Sequence, residues 1–262
     1  MRRVASKEFA TVNFASDKLD GGTFSSWSPE RVQQNLRPLD LEAINIRDLN
    51  SAPTLDREGF ALTAHDIDGD WLSNEWLDDV YVPTCLDLVQ RLSGAKVAIN
   101  MYFPILRSTA GLETAAPAAR FIHFDQPRQE YAAQAKVKAA SCGYSMGRAA
   151  VFNVWKPISR PPQSAPLALC DQRDIAVEDH VRGVTVENDA EAPYIGLAAP
   201  SAPYPIYYAP DMAISESIVF LAANFDPAAP LGVPHTAITP PGGSDGLVPR
   251  SSVELRVLAL FD

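Results

Sequence analysis

The second half of the chain is a series of short apolar runs bounded by proline, glycine or polar residues: Ala149 to Trp155, Ala165 to Leu169, Ile206 to Tyr208, Ile218 to Leu221 and Val253 to Phe261. Runs of this length with turn residues between them read as β-strands, since a helix needs about ten residues or more to bury a stripe. The 22 prolines, some adjacent as in Pro161-Pro162 and Pro240-Pro241, point the same way. Each lacks a backbone donor and belongs at strand edges and connections, which disfavours a helical bundle.

Upstream, Gly59 to Ala64, Val97 to Phe103 and Ala119 to Asp125 also read as strands. Trp71 to Leu92 carries helical spacing interrupted at Pro83, and Gln129 to Ala140 reads as a polar helix. The first 55 residues mix short apolar runs with breaks such as Asp20-Gly21-Gly22 and Ser25-Ser26, a strand-and-loop texture. The expectation is a mainly β chain with peripheral helices (α+β), a β-sandwich or jelly roll. It is taken as one domain over 1–262, with 1–58 as an N-terminal extension packed on the jelly roll.

With 22 Lys and Arg against 32 Asp and Glu, the net charge of −10 repels nucleic acid and anionic membrane surfaces. The opening segment MRRVASKEFATVNFAS has no apolar stretch behind its arginines, and no run reaches membrane-spanning length. Cys85, Cys142 and Cys170 are odd in number and lack CxxC spacing. A cytoplasmic protein with reduced cysteines is expected.

Only four histidines are present: His65, His123, His180 and His235. In Arg120-Phe121-Ile122-His123-Phe124-Asp125, residues two apart on a strand share a face, so His123 and Asp125 point together. By itself this pairing fits a structural His–Asp hydrogen bond as well as a metal site. His235, in Val233-Pro234-His235-Thr236-Ala237, is the candidate for a distant third ligand. Two histidines and one carboxylate would leave positions open for a bidentate co-substrate and O₂. Downstream, Pro249-Arg250-Ser251-Ser252 opens the final strand, placing Arg250, Ser252 and Arg256 on one face. A guanidinium fork matches a carboxylate bidentately, so Arg250, helped by Ser252, is the first candidate to hold a dicarboxylate and Arg256 the second.

This order of motifs resembles the Fe(II)/2-oxoglutarate oxygenases, whose fold is a cupin-like double-stranded β-helix, and within them the CmcJ/AsaB/NvfI-like branch. The pattern is carried by Gly59-Phe60, FIHFDQ, Arg148 with NVWKPI and PLALCD, YYAPDM with Glu216, PHTAI and RSSVELR. Where that branch has an Asp-His pair before a fixed Arg, this chain reads Tyr102-Phe103-Pro104-Ile105-Leu106-Arg107, and Leu231-Gly232 replaces its basic residue before the distal His. The resemblance implies Fe(II) and 2-oxoglutarate as cofactors and oxidation of a small-molecule metabolite by O₂ (hydroxylation, desaturation or cyclisation) in secondary metabolism. A non-catalytic binding jelly roll and a transferase of the cephalosporin-methoxylation type are the alternatives.

Trp155, Tyr204, Tyr207, Tyr208 and Arg107 are expected to line the substrate pocket, and Asn153 to bond the co-substrate or a ligand residue. A second-layer role is open to Gln126 or Arg148. His65 and His180 read as solvated. A free amino acid or its derivative leads the substrate expectation, ahead of a terpenoid or polyketide. The sequence leaves a homodimer open.

Overall fold

A computed structural model describes residues 7–111, 115–187, 189–200 and 202–262. The first six residues of the segment read for a leader lie outside the described residues. In chain order the strands begin β1 (Phe9–Ala15), β2 (Thr23–Phe24), β3 (Leu36–Asn45), β4 (Phe60–Ala64), β5 (Val97–Asn100), β6 (Ile105–Ser108), β7 (His123–Phe124) and β8 (Ala149–Pro157). They continue β9 (Leu167–Leu169), β10 (His180–Glu187), β11 (Ala190–Leu197), β12 (Ile206–Tyr208), β13 (Glu216–Asn224), β14 (His235–Ala237) and β15 (Ser251–Leu260). One sheet runs β1-β3-β12-β9-β14-β7-β11-β10-β2, and the other β4-β13-β8-β15-β5 with β6 also on β15. Their inner faces meet, with Phe220 4.6 Å from His235 and Phe60 5.6 Å from Tyr207 between ring centres. This is a jelly roll, the expected fold.

Strand alternation decides what faces where. On β15, Val253, Leu255 and Val257 join Cys85, Leu88 and Val89 of helix α2 (Val82–Ser93) in one buried cluster. Burying each aliphatic side chain stabilises by about 1.5–3 kcal/mol. The intervening Ser252, Glu254 and Arg256 therefore point inward. Helix α3 (Arg128–Ser141) covers the end of the same sheet through Tyr131, Ala135 and Ala139.

One expectation changes. The helical stretch starts at α1 (Asn74–Trp76), and its irregularity is a π-helical turn at Leu77–Tyr81, where the Val82 N–H reaches back to Leu77. Pro83 has no N–H to offer and its ring crowds the preceding turn, so the slip falls just before it. Residues 9–45 contribute strands to the large sheet: β1 pairs with β3, and β3 pairs with β12 through Ala43 and Ile206. Among the described residues no helix is long and apolar enough to cross a membrane.

Candidate metal centre

Two short neighbouring strands bring the expected ligands together. β14 lies between β9 and β7, and His235 stands directly opposite His123 in register. Their rings are 4.5 Å apart between centres, and Asp125 follows at the end of β7 with Oδ1 3.9 Å from His235 Nε2. Ligand atoms of all three lie within 4.8 Å of one another.

Each imidazole is oriented by its other nitrogen. His123 Nδ1 donates to the Phe121 carbonyl at 2.8 Å, and His235 Nδ1 to the Val233 carbonyl at 3.2 Å. A carbonyl only accepts, so both rings carry the proton on Nδ1 and present a bare Nε2 to the shared space. Burial, then the neighbouring His235, pushes His123 down to about 3; burial likewise lowers His235. Burial opposes ionisation of Asp125, but Arg256 and the two histidines outweigh it and hold the carboxyl below its usual range. Two neutral imidazoles and one anion form a donor set suited to a divalent transition metal.

The facing sheet holds this set from behind. Phe220, Asn153 and Arg256 are paired in register across β13, β8 and β15 and point the same way. Asn153 Nδ2 donates to Asp125 Oδ2 at 2.8 Å, and Arg256 donates to Asp125 Oδ1 at 2.5 Å. Of the two roles open to Asn153 it takes the one on a ligand residue, and Arg256 is corrected: it grips the Asp125 carboxylate instead of a co-substrate. Arg256→Leu is accordingly expected to weaken iron(II) binding about 10–100-fold, the usual effect of losing a partner behind a metal ligand. Isothermal titration with iron(II) under nitrogen measures it, and unchanged affinity would show the ion pair to be incidental.

Arg250 lies in a narrow cleft lined also by Arg107, Trp155, Leu167, Glu254 and the three ligand residues. It is 2% exposed, its Nη1 donates to the Ala165 carbonyl at 2.8 Å, and its Nε is buried without a partner. Burial, then Arg107 and Arg120, pushes its guanidinium down to about 9. A buried cation with no carboxylate among the described residues bonded to it calls for an anion. Ser252 is buried opposite Arg107 in register but does not line the cleft.

The aromatic expectations fare differently. Trp155 stands beside Arg250, 5.5 Å from its guanidinium, and so lines the cleft. Tyr204 and Tyr208 are buried in an apolar cluster away from the site, Tyr208 reaching Glu8 at 3.4 Å, while Tyr207 packs on Phe60. These three are corrected: β12, which carries Tyr207 and Tyr208 and follows Tyr204, lies beyond β9 and β14 in the large sheet. Arg107 lines both the cleft and a larger cavity that opens from His123 and Asp125. Gln126 lines that cavity, and Arg148 sits on the Phe261 ring at the chain's end. Glu254 was missed, although alternation from Arg250 and Arg256 places it inward.

The remaining histidines are not solvated. His65 is buried, with Nδ1 2.8 Å from Ser217 Oγ and Nε2 3.2 Å from Thr84 Oγ1, and burial, then Lys156, pushes it down to about 4. His180 is half-buried against Phe124. Below the ordinary value of 6.5, the unfolded chain therefore takes up protons at His65, His123 and His235 that the folded chain refuses. Folded pKa values below unfolded ones mean that stability falls as pH drops. The metal-free protein is expected to lose denaturant resistance steadily from pH 7 to 4, measured by urea midpoints. An equal midpoint at pH 7 and 4.5 contradicts this.

Two histidines and one carboxylate on the inner face of a jelly roll form a candidate metal centre. A family profile described as Oxidoreductase/YMDC permease-like domain matches residues 12–260, and the chain belongs to that family. Oxidoreductase R2 of a Phoma species is 25% identical over 282 residues, 96% of each chain. Oxidoreductase clz16 of Cochliobolus lunatus is 26% identical over 259 residues, 86% of each. In fold, the chain is similar to the iron and alpha-ketoglutarate-dependent endoperoxidase NvfI, with TM-score 0.76, 18% identity and 97% of both chains covered. A structure of NvfI in a different conformation gives 0.78 at 19% identity, covering 98% of this chain and 99% of that one.

Proposed function

We propose that this chain is an iron(II)- and 2-oxoglutarate-dependent oxygenase acting on a small-molecule metabolite. The carrying observation is the pairing of a buried His123–Asp125–His235 set with a buried Arg250 that no carboxylate among the described residues bonds, across one cleft. The names of the fungal relatives and of NvfI support the same reading.

His123, Asp125 and His235 would hold iron(II), and Arg250 the distal carboxylate of 2-oxoglutarate. Bound there, the pair supplies O₂ activation coupled to decarboxylation of 2-oxoglutarate to succinate. The protein's part is orientation. Backbone carbonyls fix both imidazoles, Asn153 and Arg256 fix the carboxylate, and the buried cleft excludes water from the co-substrate.

Anaerobic titration of the protein with iron(II) and then 2-oxoglutarate is the test. A weak visible charge-transfer band with one-to-one stoichiometry is the expected result. Iron binding without that band would leave a metal-binding jelly roll and overturn the oxygenase reading.

A further inference from the structure

The cavity leading from His123 and Asp125 to the surface measures about 860 Å³. Phe24, Trp71, Leu77, Phe121 and Tyr194 form its walls. Its rim carries Trp27, Leu72 and Phe103, which are 51%, 68% and 45% exposed. Exposed apolar side chains scattered singly mean little. Three from separate segments converging on one mouth mark a surface for an apolar ligand. A free amino acid would leave most of this space unfilled.

The polar groups in the cavity are unequally engaged. Glu187 accepts the Ser26 N–H at 2.5 Å, and Arg256 is bound to Asp125. Arg107 gives one bond, from Nη1 to the Pro117 carbonyl at 3.0 Å, and no carboxylate among the described residues pairs with it. It stands where the cavity meets the cleft. Among the described residues Arg107 is therefore the cavity cation left to meet an anionic ligand.

We propose that the cavity takes a hydrophobic monocarboxylic acid, its skeleton on the aromatic walls and rim and its carboxylate on Arg107. The place of this acid as a substrate rests on the oxygenase reading, whereas the cavity and Arg107 do not. Trp27, Leu72 and Phe103 then select for apolar bulk, and Arg107 for the acid. The acid end lies at the metal side, so the bond attacked is near the carboxylate.

Trp27 and Trp71 make binding visible by fluorescence quenching in the metal-free protein. The probes are abietic acid, its methyl ester, and leucine. The acid is expected to bind at least tenfold more tightly than the ester, with leucine undetected. Arg107→Gln should bring the acid down to the ester's affinity, Arg107→Lys should keep the preference, and Phe103→Ser should weaken both ligands alike. Equal binding of acid and ester by the parent protein, or a preference surviving in Arg107→Gln, would overturn the proposal. Because iron and 2-oxoglutarate are absent, an intact acid preference beside a failed iron titration would count against the oxygenase reading alone.

Discussion

Replacing Asp125 with alanine is expected to abolish stoichiometric iron(II) binding and also to lower thermal stability, whereas His235→Ala abolishes binding with a smaller stability cost. The difference follows from what each change leaves behind. Asp125 is the one anion in the ligand set and also the partner of Arg256, whose side chain is 16% exposed. Its loss leaves two neutral imidazoles facing a guanidinium whose remaining partner is Glu254 at 3.5 Å, a site with no anionic ligand for a cation. Breaking a buried ion pair from one side costs about 3–5 kcal/mol. Removing His235 leaves the Asp125–Arg256 pair intact. Metal analysis after anaerobic reconstitution, together with calorimetric melting of the metal-free variants, separates the two effects. Full iron occupancy in either variant would remove the assignment.

Strand alternation made the ligand pair legible, because His123 and Asp125 are two residues apart on one face and nothing between them competes. His235 entered through the order of motifs, and only the register of β14 against β7 shows why it meets them. The long strands β8, β13 and β15 announced themselves as apolar runs, whereas β7 and β14 are two and three residues long and carry no periodicity of their own. The tyrosine assignments failed for one reason. Tyr204, Tyr207 and Tyr208 were placed by amphipathic character, which says that a side chain wants an apolar body and a polar tip but not which cavity supplies them. The walls that the large cavity does have come from Phe24, Trp71 and Phe121, in segments remote in sequence whose convergence depends on connections no local pattern encodes. Arg256 failed differently: its face was right, but the nearer carboxylate claimed it. A strand face offers a charge to everything opposite, and only distance decides the partner.

Arg250→Met is expected to lose 2-oxoglutarate binding while leaving iron(II) binding in place, and to melt no lower than the parent when both are metal-free. Losing one side of a buried charge-assisted pair costs about 2–5 kcal/mol, and each 1.4 kcal/mol is about a factor of ten in affinity. The weakening should therefore exceed about tenfold. The stability half of the prediction is sharper. In the free protein the Arg250 guanidinium is buried with one backbone carbonyl as its partner, an arrangement that destabilises the fold until an anion arrives. Methionine fills similar space without a charge, so the free variant is expected to hold or gain thermal stability. The order reverses on adding co-substrate. At a hundred times its dissociation constant a ligand stabilises by about 2.7 kcal/mol, which the parent with iron gains and the variant does not. Melting curves of both proteins, with and without iron(II) and 2-oxoglutarate, read all four corners of this cycle. A variant that melts lower in every condition by the same amount would make Arg250 a structural residue and leave the co-substrate carboxylate without its holder.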